Sequence, residues 1–228
     1  MTIERLFLGH LIVATGYPSD DAMRTETFKW QNKDNSICHI PDYPIAINGA
    51  VTVLFEEDKY VCGGFGRLTG FTAKCFNLIT GENAPFNLLH KRAGASSVST
   101  NDKVFVFGGW NGSNDLASYE TISVDHAQSE GVLPFTWKYG CSTLINSTTI
   151  FLAGGHQNDA TTANTWFFNL KTEEWTKGPS MIEGRSSLGC GLIKSINGVA
   201  VFGGYPNTAT TEVVKLPGGS FKKGNRQC

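Results

Sequence analysis

One phrase recurs along this chain: an apolar run that closes on two glycines and then an aromatic ring or a histidine. Its copies are YVCGGF, VFVFGGW, IFLAGGH and VAVFGGY, and a degenerate fifth, LIVATGY, stands near the start with Thr15 in place of the first glycine. The second glycines fall at Gly16, Gly64, Gly109, Gly155 and Gly204, at spacings of 48, 45, 46 and 49 residues. A single Gly-Gly carries almost no information. Four pairs at regular spacing, each ending an apolar run, require a stacked-repeat architecture in which every repeat adopts the same turn at the same place.

Each repeat contains the material for four strands, because apolar and β-branched residues come in short runs bounded by turn residues. In the fourth, TWFFNL (Thr165 to Leu170) is followed by the turn KTEE, a short segment at Trp175 and a break at Gly178 and Pro179. GCGLI then leads through the turn SING into VAVFGG. Ser195, Asn197 and Gly198 suit a tight hairpin, as do Glu57 and Asp58 before KYVCGG and Asn101 and Asp102 before KVFVFGG. Glycine, at 26 of 228 residues, fits many short strands joined by tight turns. A four-stranded meander that is apolar on both faces is unstable alone, whereas radial stacking buries each face against the next sheet. The expectation is an all-β chain, a β-propeller of antiparallel four-stranded blades.

These residues resemble the kelch repeats. The resemblance runs from about His10 to Leu216. It rests on the pairs Gly63-Gly64, Gly108-Gly109, Gly154-Gly155 and Gly203-Gly204, and on the ring after each pair (Tyr17, Phe65, Trp110, Tyr205, with His156 as the exception). It extends to Trp175 and to Arg92 and Arg185 ahead of the next blade. Phe86 stands where the second repeat would carry tryptophan, and the third repeat has no good equivalent. The phrases CHIPDYP, YVCGGF and KCFNL are similar to those of secreted kelch-like proteins of invertebrate animals. The resemblance implies one kelch domain over residues 1–228, with repeats beginning near 10, 49, 93, 138 and 188 and with incomplete first and last blades. Kelch propellers usually close with six or seven blades. The chain is therefore a fragment of a larger ring such as a six-bladed one, a five-bladed ring with poor end blades, or a partner for blades from another chain. Open blade edges would allow self-association.

Lysine and arginine total 19 against 20 acidic residues, so no basic field attracts nucleic acid or an anionic membrane. No apolar stretch is long enough to insert in a membrane as a helix, and the first residues make a weak signal peptide. The six cysteines, at 38, 62, 75, 141, 190 and 228, have neither CxxC nor zinc spacing. Cys62 and Cys75 could face each other across a hairpin as a disulfide. Cys141 and Cys190, at matching places in successive first strands, read as small buried apolar residues. Asn111-Gly112-Ser113 and Asn146-Ser147-Thr148 are glycosylation sequons, which with the cysteine placement leans toward an extracellular location without excluding the cytoplasm.

Histidines 10, 39, 90, 126 and 156 are scattered, and no nucleophile elbow, P-loop or dinucleotide fingerprint is present, so no metal, no cofactor and no catalytic residue is expected. The alternatives are an enzyme of the copper-oxidase or isomerase type on the same scaffold, for which His156 and Tyr205 would be the ring candidates, or a partial gene product without independent function. The leading expectation is a non-catalytic module that binds another protein or a glycan. Loops after the glycine pairs and loops between blades emerge on one rim, which gathers Arg67, Trp110, Asn111, Asn158, Asp159 and Asn207. Arg92 and Arg185 either join that face or stay in the framework, bonding loop carbonyls.

Overall fold

The computed structural model describes residues 2–7, 10–14, 25–29, 37–39, 44–45, 47–55, 58–206 and 209–224, the first four of these segments as backbone only. Their strands form five four-stranded antiparallel sheets, here called blades I to V. Blade I comprises Thr2–Phe7, His10–Ala14, Thr25–Lys29 and Ile37–His39, and blade II comprises Val51–Leu54, Lys59–Cys62, Lys74–Asn77 and Asn83–Asn87. Blade III comprises Ser96–Ser99, Lys103–Phe107, Ser118–Ser123 and Gln128–Val132. Blade IV comprises Cys141–Asn146, Thr149–Ala153, Thr165–Asn169 and Trp175–Lys177, and blade V comprises Gly189–Ile193, Gly198–Phe202, Thr211–Lys215 and Lys222–Lys223. Small hairpins, Phe65–Gly66 with Gly70–Phe71 and His156–Gln157 with Ala160–Thr161, rise from blades II and IV. The all-β expectation holds. The end blades correct the sequence reading, because Thr2–Phe7 supplies a first strand to blade I and Lys222–Lys223 a fourth strand to blade V.

Alternation along the second strands explains why both faces of each blade are apolar. In blade III, Val104 and Val106 enter the core shared with Val51, Val53, Tyr60 and Cys62 of blade II. Phe105 and Phe107 face the other way, into a core with Ile150, Leu152 and Phe168 of blade IV. Blade IV repeats the device: Phe151 and Ala153 meet Val199, Val201 and Val214 of blade V. At the residue before the glycine pair, Cys62, Phe107 and Ala153 are buried by the following blade, whereas Phe202 of blade V is 50% exposed. The first strands of blades II to V lie side by side on the inner edge, where Ser96 Oγ is 2.7 Å from Ser142 Oγ.

Two cysteine pairs sit in this framework. Cys62 and Cys75 are directly opposite on neighbouring strands of blade II and are joined, with Cα atoms 4.1 Å apart. Cys141 and Cys190 are also joined, across the seam between blades IV and V, with Cα atoms 5.8 Å apart. That corrects the reading of the second pair as separate buried thiols. Matching positions in stacked first strands fall within disulfide reach because the inner strands of neighbouring blades run side by side. Cys228 and the side chain of Cys38 lie outside the described residues.

Candidate binding face and the seams beneath it

At the end of the second strand in each of blades II to V the glycine pair turns the chain onto the loop face. Gly108 has φ +59°, and a Cβ there would strike the Trp137 carbonyl; the next amide, Gly109 N, donates to that same carbonyl at 2.7 Å. Only a residue without a side chain combines this left-handed backbone with that approach. The construction recurs: Gly64 N donates to Arg92 O at 2.7 Å and Gly155 N to Arg185 O at 2.8 Å. The residue after each pair then bonds in both directions with the segment entering its own blade, as Trp110 does with Ala93 (2.8 and 2.9 Å) and His156 with Lys138 (2.8 and 3.2 Å).

Arg92, Trp137 and Arg185 therefore occupy one repeated slot, and each spans a seam. Their carbonyls accept from the blade behind. Their side chains donate to the first glycine of the blade ahead: Arg92 Nη1 to Gly108 O at 2.5 Å, Trp137 Nε1 to Gly154 O at 2.7 Å and Arg185 Nη1 to Gly203 O at 3.0 Å. Both guanidinium groups also meet a buried acid, Arg92 with Glu120 at 2.5 Å and Arg185 with Glu212 at 2.7 Å. Each acid accepts two backbone amides as well, Leu89 and His90 on Glu120 and Ile182 and Glu183 on Glu212. Arg92 and Arg185 are fully buried, so they belong to the framework and not to the binding face. Where the arginine is replaced the acid is replaced too. Leu152 pairs with Trp166 at the register where Val106 pairs with Glu120, and Val61 pairs with Phe76 there in blade II, whose arginine slot is Ile47.

A ladder of backbone bonds joins the blades just beyond this slot. Gly94 N donates to Gly49 O at 2.8 Å, Tyr139 N to Gly94 O at 2.7 Å and Ser187 N to Tyr139 O at 2.6 Å. All four residues have positive φ, from +53° to +67°, although two of them carry side chains. The Tyr139 ring lies over Gly94, filling the space a side chain would need there.

Above the ladder an aromatic step runs from blade II to blade III. Phe65 packs on Phe71 (centroids 4.8 Å apart) and Phe71 meets Trp110 edge to face at 4.7 Å. The Lys138 ammonium stands 5.6 Å from the Trp110 ring and 2.5 Å from Asp115, with Asp159 at 3.9 Å. Arg67 and Leu68 form the hairpin tip beside this step, where Leu68 is 97% exposed. Trp110 is partly buried. Asn111 is half-buried as well, its Oδ1 accepting from Ser113 N and Asn114 N at 2.9 Å each, so it shapes its own turn. Asn158 and Asp159 are the two central residues of the blade IV hairpin, with φ +49° and +64°, the left-handed pair a two-residue turn needs. Asn207 lies outside the described residues. Phe71, Leu68, Asp115 and Lys138 were not singled out from sequence, since none repeats from blade to blade.

Burial, then Glu173, pushes the Tyr119 phenol up to about 12, and burial, then Asp58, raises Tyr60. Among the described residues no three of His, Cys, Asp and Glu gather where they could hold a metal ion. His156 packs on Tyr139 with centroids 6.1 Å apart, and Tyr205 is the ring after the blade V glycine pair.

Four-stranded meanders stacked face to face, inner edge to inner edge, are the blades of a β-propeller-type repeat protein. Residues 91–124 and 138–182, which fall in blades III and IV, match the Kelch motif. No curated protein matches the sequence of the chain.

Proposed function

We propose that residues 1–228 form one kelch domain that works as a non-catalytic interaction module, binding another protein through the loop face. The observation that carries this reading is the combination at the blade II–III step. An almost fully exposed leucine and an arginine stand at the tip of a hairpin, next to a tryptophan whose ring carries a cation. Tryptophan and arginine dominate binding energy at protein interfaces, and an exposed leucine beside them gains from being covered. Kelch repeats generally serve protein–protein contact, which supports the same reading. Beneath the face, the buried arginines and the backbone ladder hold these loops on rigid blades.

The test compares two surface substitutions of equal chemistry on opposite ends of the blades. Leu68→Asp alters the loop face; Val124→Asp alters the turn between the third and fourth strands of blade III, where Val124 is 57% exposed. Partners recovered by cross-linking from the native source should fall at least tenfold in yield with Leu68→Asp and be unchanged with Val124→Asp. Equal recovery with both variants would reject the loop face as the site, and loss with Val124→Asp alone would move the site to the opposite end.

A further inference from the structure

The turn between the first and second strands of blade IV lies at the opposite end of the meander from the loop face. It carries Asn146-Ser147-Thr148, one of the two sequons. Asn146 and Ser147 are exposed. Asn146 Oδ1 accepts from the Thr148 hydroxyl at 3.0 Å and from Thr148 N at 2.9 Å, so the hydroxyl that the sequon requires is already placed on the acceptor amide. The other sequon differs. Asn111 is half-buried and bonded only by backbone amides there, and a Cβ on its neighbour Gly112 would lie 2.8 Å from the Phe71 ring. A sugar on Asn111 would stand on the aromatic step, while one on Asn146 would extend into solvent.

The cysteines supply an independent observation. Two pairs are joined, Cys62 with Cys75 and Cys141 with Cys190, and such bonds persist in the oxidising compartments of the secretory route. The same compartments transfer oligosaccharide to asparagine. We infer that Asn146 is an N-glycosylation site and that its glycan covers the end of the blades remote from the loop face. In the transfer, Asn146 Nδ2 attacks the anomeric carbon of a lipid-linked oligosaccharide pyrophosphate. The bond from that carbon to the phosphate oxygen breaks, the C–N bond forms, the amide gives up one proton, and the lipid pyrophosphate leaves. The site does not depend on the proposed partner binding.

The full-length protein from its native source tests this by peptide mapping before and after peptide:N-glycosidase treatment. The Asn146 peptide should carry a hexose and N-acetylhexosamine mass that the enzyme removes, leaving aspartate at 146; an unmodified Asn146 peptide would overturn the inference. In eukaryotic cells expressing the full chain, the enzyme-sensitive mass should vanish with Thr148→Val, persist with Thr148→Ser, and survive Asn111→Gln. A mass that survives Thr148→Val and is lost with Asn111→Gln would overturn it as well. Measuring total cell-associated chain keeps the readout independent of how well a variant folds.

Discussion

Arg92→Met is expected to lower stability by about 3–5 kcal/mol, because it leaves the buried Glu120 carboxylate without its cation while two amides still hold it in place. For a chain of this length that corresponds to a fall of roughly 6–20 °C in thermal midpoint. Glu120→Leu should cost a comparable amount, since it strands the guanidinium between the blades. The double variant Arg92→Met/Glu120→Leu should recover much of the loss, because an apolar pair replaces an ion pair at a seam that buries both. The protein already contains that solution. Ile47 and Phe76 lie together in one apolar cluster at the matching slots of blade II, and Trp137 and Trp166 occupy them at the seam of blades III and IV. Recovery will be incomplete because the Leu89 and His90 amides lose their acceptor. Differential scanning calorimetry on the three variants measures the coupling directly. Additive losses would mean that Arg92 and Glu120 act separately.

Removing the Cys141–Cys190 bond is expected to cost about 4 kcal/mol on the chain-entropy model, since it closes a loop with a sequence separation of 49. The Cys62–Cys75 bond, with a separation of 13, should contribute about 3 kcal/mol. The larger effect comes from the bond that joins two blades, because without it the inner edges of blades IV and V are held by packing and backbone bonds alone. Cys141→Ala/Cys190→Ala should therefore lower the urea midpoint more than Cys62→Ala/Cys75→Ala. A reductant-insensitive wild-type chain would show that neither bond forms.

The glycine pairs made the blades legible in the sequence. They are required wherever a Cβ would strike the carbonyl of Arg92, Trp137 or Arg185, so they recur with the geometry itself. Trp137 was not recognised as the equivalent of the two arginines, because its indole N–H reaches the glycine carbonyl with a different residue type. Glu120 and Glu212 went unnoticed for another reason: a lone acid in a strand reads as solvent-facing, and its burial becomes evident only when the arginine 28 or 27 residues earlier is folded onto it. The outermost strands escaped detection too. Thr2–Phe7 mixes charges with its apolar residues, and Lys222–Lys223 has no apolar residue at all. Of the residues expected on the binding face, Asn111, Asn158 and Asp159 have turn-forming work that accounts for them, whereas Trp110 gains significance only from neighbours on other loops.

The stacking of blades II to V is tested most directly by amide hydrogen exchange at Gly94, Tyr139 and Ser187, whose N–H groups donate to the preceding blade and to nothing within their own. If the blades stack as described, these three loop amides exchange as slowly as the central strands Lys103–Phe107 and Thr149–Ala153. Exchange at ordinary loop rates while those strands stay protected would mean that the blades fold without stacking, and the shared loop face would not exist.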